Sequence, residues 1–109
     1  MLPLLKQQLQ HFREHPSVSD LTFRQGQALY LHGQVQLLTQ TQEVFTFAVD
    51  DEFGDFVAVL QVFEAKAGSD EPGYVSSESG NKKSISVHHT IACLFQLADE
   101  FERLDKPKT

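Results

Sequence analysis

Five histidines, a single cysteine and one dense acidic run are the groups in this 109-residue chain best able to hold a metal or move a proton. Two of the histidines are adjacent, His88-His89, at the start of an apolar stretch. Neighbouring residues on a helix point about 100° apart, so their rings are not expected to converge on one ion as an i, i+4 pair does. His11 and His32 have no carboxylate or cysteine at motif spacing, and a structural place is expected for every histidine. The run Asp50-Asp51-Glu52-Phe53-Gly54-Asp55 lacks the alternating ligands and the distal bidentate glutamate of an EF-hand loop. It reads as a solvated hairpin turn. Cys93 stands between Ala92 and Leu94, where a small buried apolar residue fits. Ser76, Ser77, Ser79 and Ser84 have no nucleophile-elbow context, and a glycine-rich phosphate loop is absent. The enzymatic reading is a pocket lined by His88, His89 and Tyr74, but the pattern shows no convergent acid–base pair. No catalytic residue and no cofactor are expected.

These groups must be carried by a small set of elements in one domain, residues 1–109. Pro3 suits a first helical position, and Leu5, Leu9 and Phe12 share a face of a helix over 3–14 that Pro16 terminates. Ser19 or Asp20 can cap a second helix over 21–32, with Gly33 in the left-handed position past its end. Gly26 in the middle of that helix marks close approach of another element or is merely tolerated. Strands are expected at Val35–Leu38, Val44–Val49 and Phe56–Phe63, with turns at Thr39–Glu43 and Asp50–Asp55. Phe45, Phe47 and Val49 alternate onto one face; Phe56–Phe63 is apolar almost throughout, which predicts cover on both faces and suits a central or helix-packed strand. Residues 64–85 form a long polar loop in which Tyr74-Val75 can add a fourth, edge strand. A last helix runs over 87–104 with Ser86 as cap, and residues 105–109 are a frayed tail. Its stripe of Ile91, Leu94, Phe95, Ala98 and Phe101 needs the sheet as a partner. The fold class is therefore α+β: an antiparallel meander of three or four strands, two N-terminal helices and a C-terminal helix packed on the sheet.

Two stretches carry a family resemblance. Phe23-Arg24-Gln25-Gly26, then Tyr30, Gly33, Gln34 and Val35, precede the strands, and 87–95 read Val-His-His-Thr-Ile-Ala-Cys-Leu-Phe. In this order they resemble the SWIM zinc-finger domain, including the copies near the N-terminus of bacterial SNF2-type helicases, over roughly residues 20–98. That family places Cys-x-Cys after the sheet and Cys-x-His at the start of the helix, closing a tetrahedral zinc site. Carried over by position, His89 matches the ligand histidine and Val87 replaces the cysteine two residues before it. Val75 and Ser77 fall on the earlier pair, where the register can slip by one residue. Valine offers no ligand atom, and a neutral serine hydroxyl is a poor zinc donor. The resemblance thus implies the fold with a degenerate site and no metal. It also implies a non-catalytic module for DNA or protein contact, associated with or part of an SNF2-type helicase, and the acidic charge shifts the weight to protein–protein contact.

Charge sets the other expectations. The net charge is −6, and the nine basic residues are scattered. Phosphate contacts need a basic patch, so nucleic-acid binding by the isolated domain is disfavoured and a protein partner favoured. A stand-alone acidic partner or inhibitor of a basic protein, or a weak nucleic-acid-binding accessory domain, are the alternatives. One cysteine forbids an intramolecular disulfide. No apolar run reaches the ~20 residues of a membrane span, and the N-terminus is no signal peptide, which makes the cytoplasm the expected compartment. An edge strand in Gly73, Tyr74, Val75, Ser76 and Ser77 is the expected partner-contact segment, including a homodimer by strand pairing.

Overall fold

Pro3 in the first turn and the Leu5, Leu9, Phe12 spacing produce α1, Leu2–Glu14. The computed structural model describes residues 2–64, 68 and 73–105, with the backbone alone at 104 and 105. α2, Asp20–Leu31, begins where the Ser19 hydroxyl accepts the Thr22 N–H at 3.1 Å. It ends in a Schellman motif. Gly33 takes a φ of 70°, its N–H bonds the Tyr30 carbonyl, and the Gln34 N–H bonds the Leu29 carbonyl at 2.9 Å.

The strands are β1 Val35–Thr41, β2 Val44–Asp51, β3 Gly54–Phe63 and β4 Tyr74–Ser79, an antiparallel meander in the order β1-β2-β3-β4. With the helices before and after it, the fold is α+β. Phe45, Phe47 and Val49 alternate inward on β2 and meet Ala58, Leu60 and Val62 of β3, all buried. The opposite face is half-buried only, through Val57 and Val59, because the helices pack on one side. Full cover on both faces of β3 is not found, but the central, helix-packed place its apolar run suits is: β3 lies between β2 and β4 and packs against α3. The turns shrink to Gln42-Glu43 and Glu52-Phe53, since polar strand ends at Thr39–Thr41 and Asp50-Asp51 continue the ladder.

The expected 64–85 loop contains all of β4, longer than Tyr74-Val75. Its register on β3 is unbroken from Phe63↔Tyr74 to Ala58↔Ser79. Polar Ser76–Ser79 can pair because an edge strand keeps much of its surface in water. Residues 65–67 and 69–72 of that segment lie outside the described residues, as does the tail beyond Asp105.

α3, Val87–Asp105, packs on the sheet and also on α1 and α2. Residues 89–94 are buried without interruption, a pattern no single stripe produces. Phe101 sits edge-on to Phe45 in the sheet at 5.9 Å. Phe95 turns the other way, edge-on to Phe23 and stacked on Tyr30 of α2, each at 5.6 Å. The α2–α3 contact is close enough to need Gly26. A Cβ there would lie 2.7 Å from the His88 carbonyl oxygen and 2.7 Å from Ile91 Cγ2. Among the described residues no helix is long and apolar enough to cross a membrane.

Candidate functional site

Where β2 ends and α3 begins, three titratable side chains come together. Asp51 follows Phe45, Phe47 and Val49 on the period of two, so its carboxylate leaves the core face of the sheet toward α3. Oδ1 accepts the Glu52 N–H at 2.7 Å. Oδ2 contacts His88 Nε2 at 2.9 Å and His89 Nε2 at 2.6 Å. An ionised carboxylate only accepts, so both imidazoles present Nε2–H to it. The side chains of Asp51, His88 and His89 retain 8%, 18% and 1% exposure. The His88 and His89 rings lie 4.1 Å apart, and Phe56 covers His89 at 4.2 Å.

This convergence corrects the expectation that adjacent histidines diverge. Their Cα–Cβ bonds do point apart, but both sit in the first turn of α3, where side-chain torsions bring each Nε2 to a carboxylate standing between them. The reading of 50–55 as a solvated turn fails at the same residue. Asp51 is a half-buried strand end, and the signal that could have found it was its phase with Phe45, Phe47 and Val49.

His89 has a second bond. The Ser86 carbonyl accepts the His89 N–H at 3.0 Å, and the Ser86 N–H donates to His89 Nδ1 at 2.9 Å. With Ser86 at the cap, His89 occupies the third helical position, where a capping box uses glutamate to reach back to the cap N–H. The imidazole does that work here. Nδ1 is committed as an acceptor, which fixes the neutral tautomer with its proton on Nε2.

Electrostatics agree. Burial, opposed by the Asp51 hydrogen bond and aided by His88, holds the His89 pKa below its ordinary value and keeps the ring neutral. Burial acts to raise the Asp51 pKa, but the hydrogen bonds from His88 and His89 outweigh it, and the carboxyl sits below its usual range.

The three ligand atoms lie within 4.8 Å of one another, close enough to consider a metal. The donor set does not fit one. A cation on His89 Nε2 would require the proton on Nδ1, facing the Ser86 N–H. The four family ligand positions do not fit zinc either. Val75 and Val87 carry no donor, and Ser77 Oγ accepts from Thr90 Oγ1 at 3.1 Å. His89 is directed to Asp51. Zinc added in tenfold molar excess is therefore expected to leave the melting temperature unchanged. A shift of several degrees that disappears in His88→Ala would show that the cluster binds metal.

His88 borders a cleft of about 310 Å³ with Gln25, Gln34, Glu52 and Phe53. Its described lining brings no Ser, Thr, Cys or Lys nucleophile beside the imidazole. Tyr74 does not join it. Gly54 pairs beside Asp51 at the start of β3, whereas Tyr74 pairs with Phe63 at the other end, about 30 Å along the strand. Cys93 is fully buried, and burial pushes its thiol pKa far up, so no thiolate is available at neutral pH. His11 meets His15 ring to ring at 5.4 Å on the end of α1, and His32 caps α2.

No family model, curated protein or solved structure matches this chain.

Proposed function

We propose that this chain is a non-catalytic, SWIM-like binding module of the cytoplasm that has dispensed with zinc. Its partner on this reading is a protein, an SNF2-type helicase or the remainder of one. The hydrogen bond between Asp51 and His89 supports the first half, because it ties the start of α3 to the sheet without a metal. The observation that carries the second half is β4. Of the two edges, β1 is interrupted by a register shift between Leu37 and Thr39, whereas β4 pairs without a break. A bulged edge discourages strand addition and an unbroken one permits it. Tyr74, 54% exposed and stacked on Phe63 at 4.5 Å, puts an aromatic anchor at the start of that edge.

Amide hydrogen exchange over 74–79 tests this. Outward-facing amides should exchange fast in the dilute monomer and become protected when a helicase polypeptide is added, or at dimer-forming concentration. Uniformly slow exchange in the dilute monomer, unchanged by either addition, would leave β4 a closed structural element and end the reading. The net charge of −6 favours a second reading, a stand-alone acidic partner of a basic protein. It predicts protection by a basic partner in place of the helicase.

A further inference from the structure

Away from β4, α1 and α2 enclose a groove of about 420 Å³ floored by Phe95 of α3. α1 lines it with Lys6, Leu9 and Arg13, and α2 with Phe23 and Arg24. The spacing explains the alignment: residues three, four and seven apart share one face of a helix. The floor is apolar and aromatic, and the rim is basic. In a chain of net charge −6 this concentration of cations runs against the composition.

The cations are not equivalent. Lys6 is paired with Glu102 at 3.0 Å, and Asp20 adds one negative charge to the rim. Among the described residues neither Arg13 nor Arg24 has a carboxylate partner. Arg13 lies over the Phe23 ring with its guanidinium carbon 5.9 Å from the centroid. Such stacking holds the planar group at the groove wall while leaving its N–H edge free. Two guanidiniums without acid partners beside two phenylalanines form a recognition surface with two halves.

We propose that this groove binds a small organic anion, a carboxylate or phosphate joined to an aromatic or aliphatic body. The guanidiniums of Arg13 and Arg24 take the anionic group in the paired geometry that carboxylates and phosphates share. Phe23, Phe95 and Leu9 take the body. The volume lies in the range of small-molecule sites, which favours a free ligand over a protein segment. This site is separate from the β4 edge and stands whether or not that edge recruits a partner.

The test is a titration of the isotope-labelled full chain with phenyl phosphate, followed by amide and side-chain chemical shifts. Saturable shifts are expected at residues 6–13, 20–27 and around Phe95. The affinity should fall at least about tenfold in Arg13→Gln/Arg24→Gln, since charged hydrogen bonds are lost, and stay unchanged in Lys82→Gln. Both variants change exposed side chains, and the dispersion of their spectra reports that they are folded. Inorganic phosphate and benzyl alcohol should each bind more weakly, having only one half of the ligand. Equal binding of either, the absence of saturation in the millimolar range, or binding by a capped acidic peptide alone would overturn the proposal.

Discussion

Asp51→Ala is expected to destabilise the fold by about 3 kcal/mol, read as a fall in the urea midpoint with an unchanged slope. The substitution removes the acceptor of two imidazole N–H groups, one of them on a ring with 1% exposure. The lost bonds alone account for only part of this; a buried donor without a partner adds its full desolvation penalty. Asp51→Asn retains one acceptor oxygen and should cost clearly less. Equal losses for Ala and Asn would mean that size rather than hydrogen bonding matters at this position.

The same junction sets the acid response. His89 has a folded pKa below its unfolded value of about 6.5, so between the two the unfolded chain binds more protons. Its contribution is complete above about pH 6.5 and is lost as the pH falls below that value. Asp51, also held low, contributes fully above about pH 3.9 and loses its contribution as the pH falls through its folded value. Both terms have one sign. Melting temperatures should hold near neutrality, fall below pH 6.5, and fall further below pH 4 with that last part reduced in Asp51→Ala. A melting temperature that rises on acidification would contradict the assigned tautomer.

Gly26→Ala is the other large effect. Alanine is the better helix former by about 1 kcal/mol, so on an open helix face the change would stabilise. Here the new methyl would stand 2.7 Å from a backbone oxygen of α3, which cannot rotate away, and α2 and α3 must separate. A net loss of about 1–3 kcal/mol is expected. Since the oxygen belongs to His88, the displacement also reaches the Asp51 contacts, and the double variant with Asp51→Ala should lose less than the sum. A stability gain from Gly26→Ala would show that the helices have room to spare.

Much of the fold was legible because long amphipathic segments declare themselves. The bounds of α1, α2 and α3 to within a residue, a cap at Ser19 or Asp20 and the Gly33 stop follow from spacing and capping chemistry alone. Polar strand at the two edges was not, since Thr39–Thr41 and Ser76–Ser79 have a turn-like composition and depend on a neighbour's ladder. The junction was missed for a different reason. A rule about adjacent helical residues describes where side chains start, whereas a carboxylate supplied from residue 51 decides where those of residues 88 and 89 finish. Only the inward phase of Asp51 gave notice of it.

The place of α3 bears on how the chain reaches this structure. Among the described residues α3 follows every other element in chain order and is also the middle layer, between α1 and α2 and the sheet, so the elements before it lack a closed core until it docks. The contacts it makes are remote in sequence, residue 26 with 91 and residue 51 with 88 and 89. Loop closure grows slowly with length, about 0.6 kcal/mol per doubling, so the sequence separation of these pairs weighs little on stability. It weighs more on speed, because distant pairs must meet before their contacts compensate the lost chain freedom. The N-terminal helices and the hairpins can form early, but their apolar faces stay open until the final helix closes both layers at once.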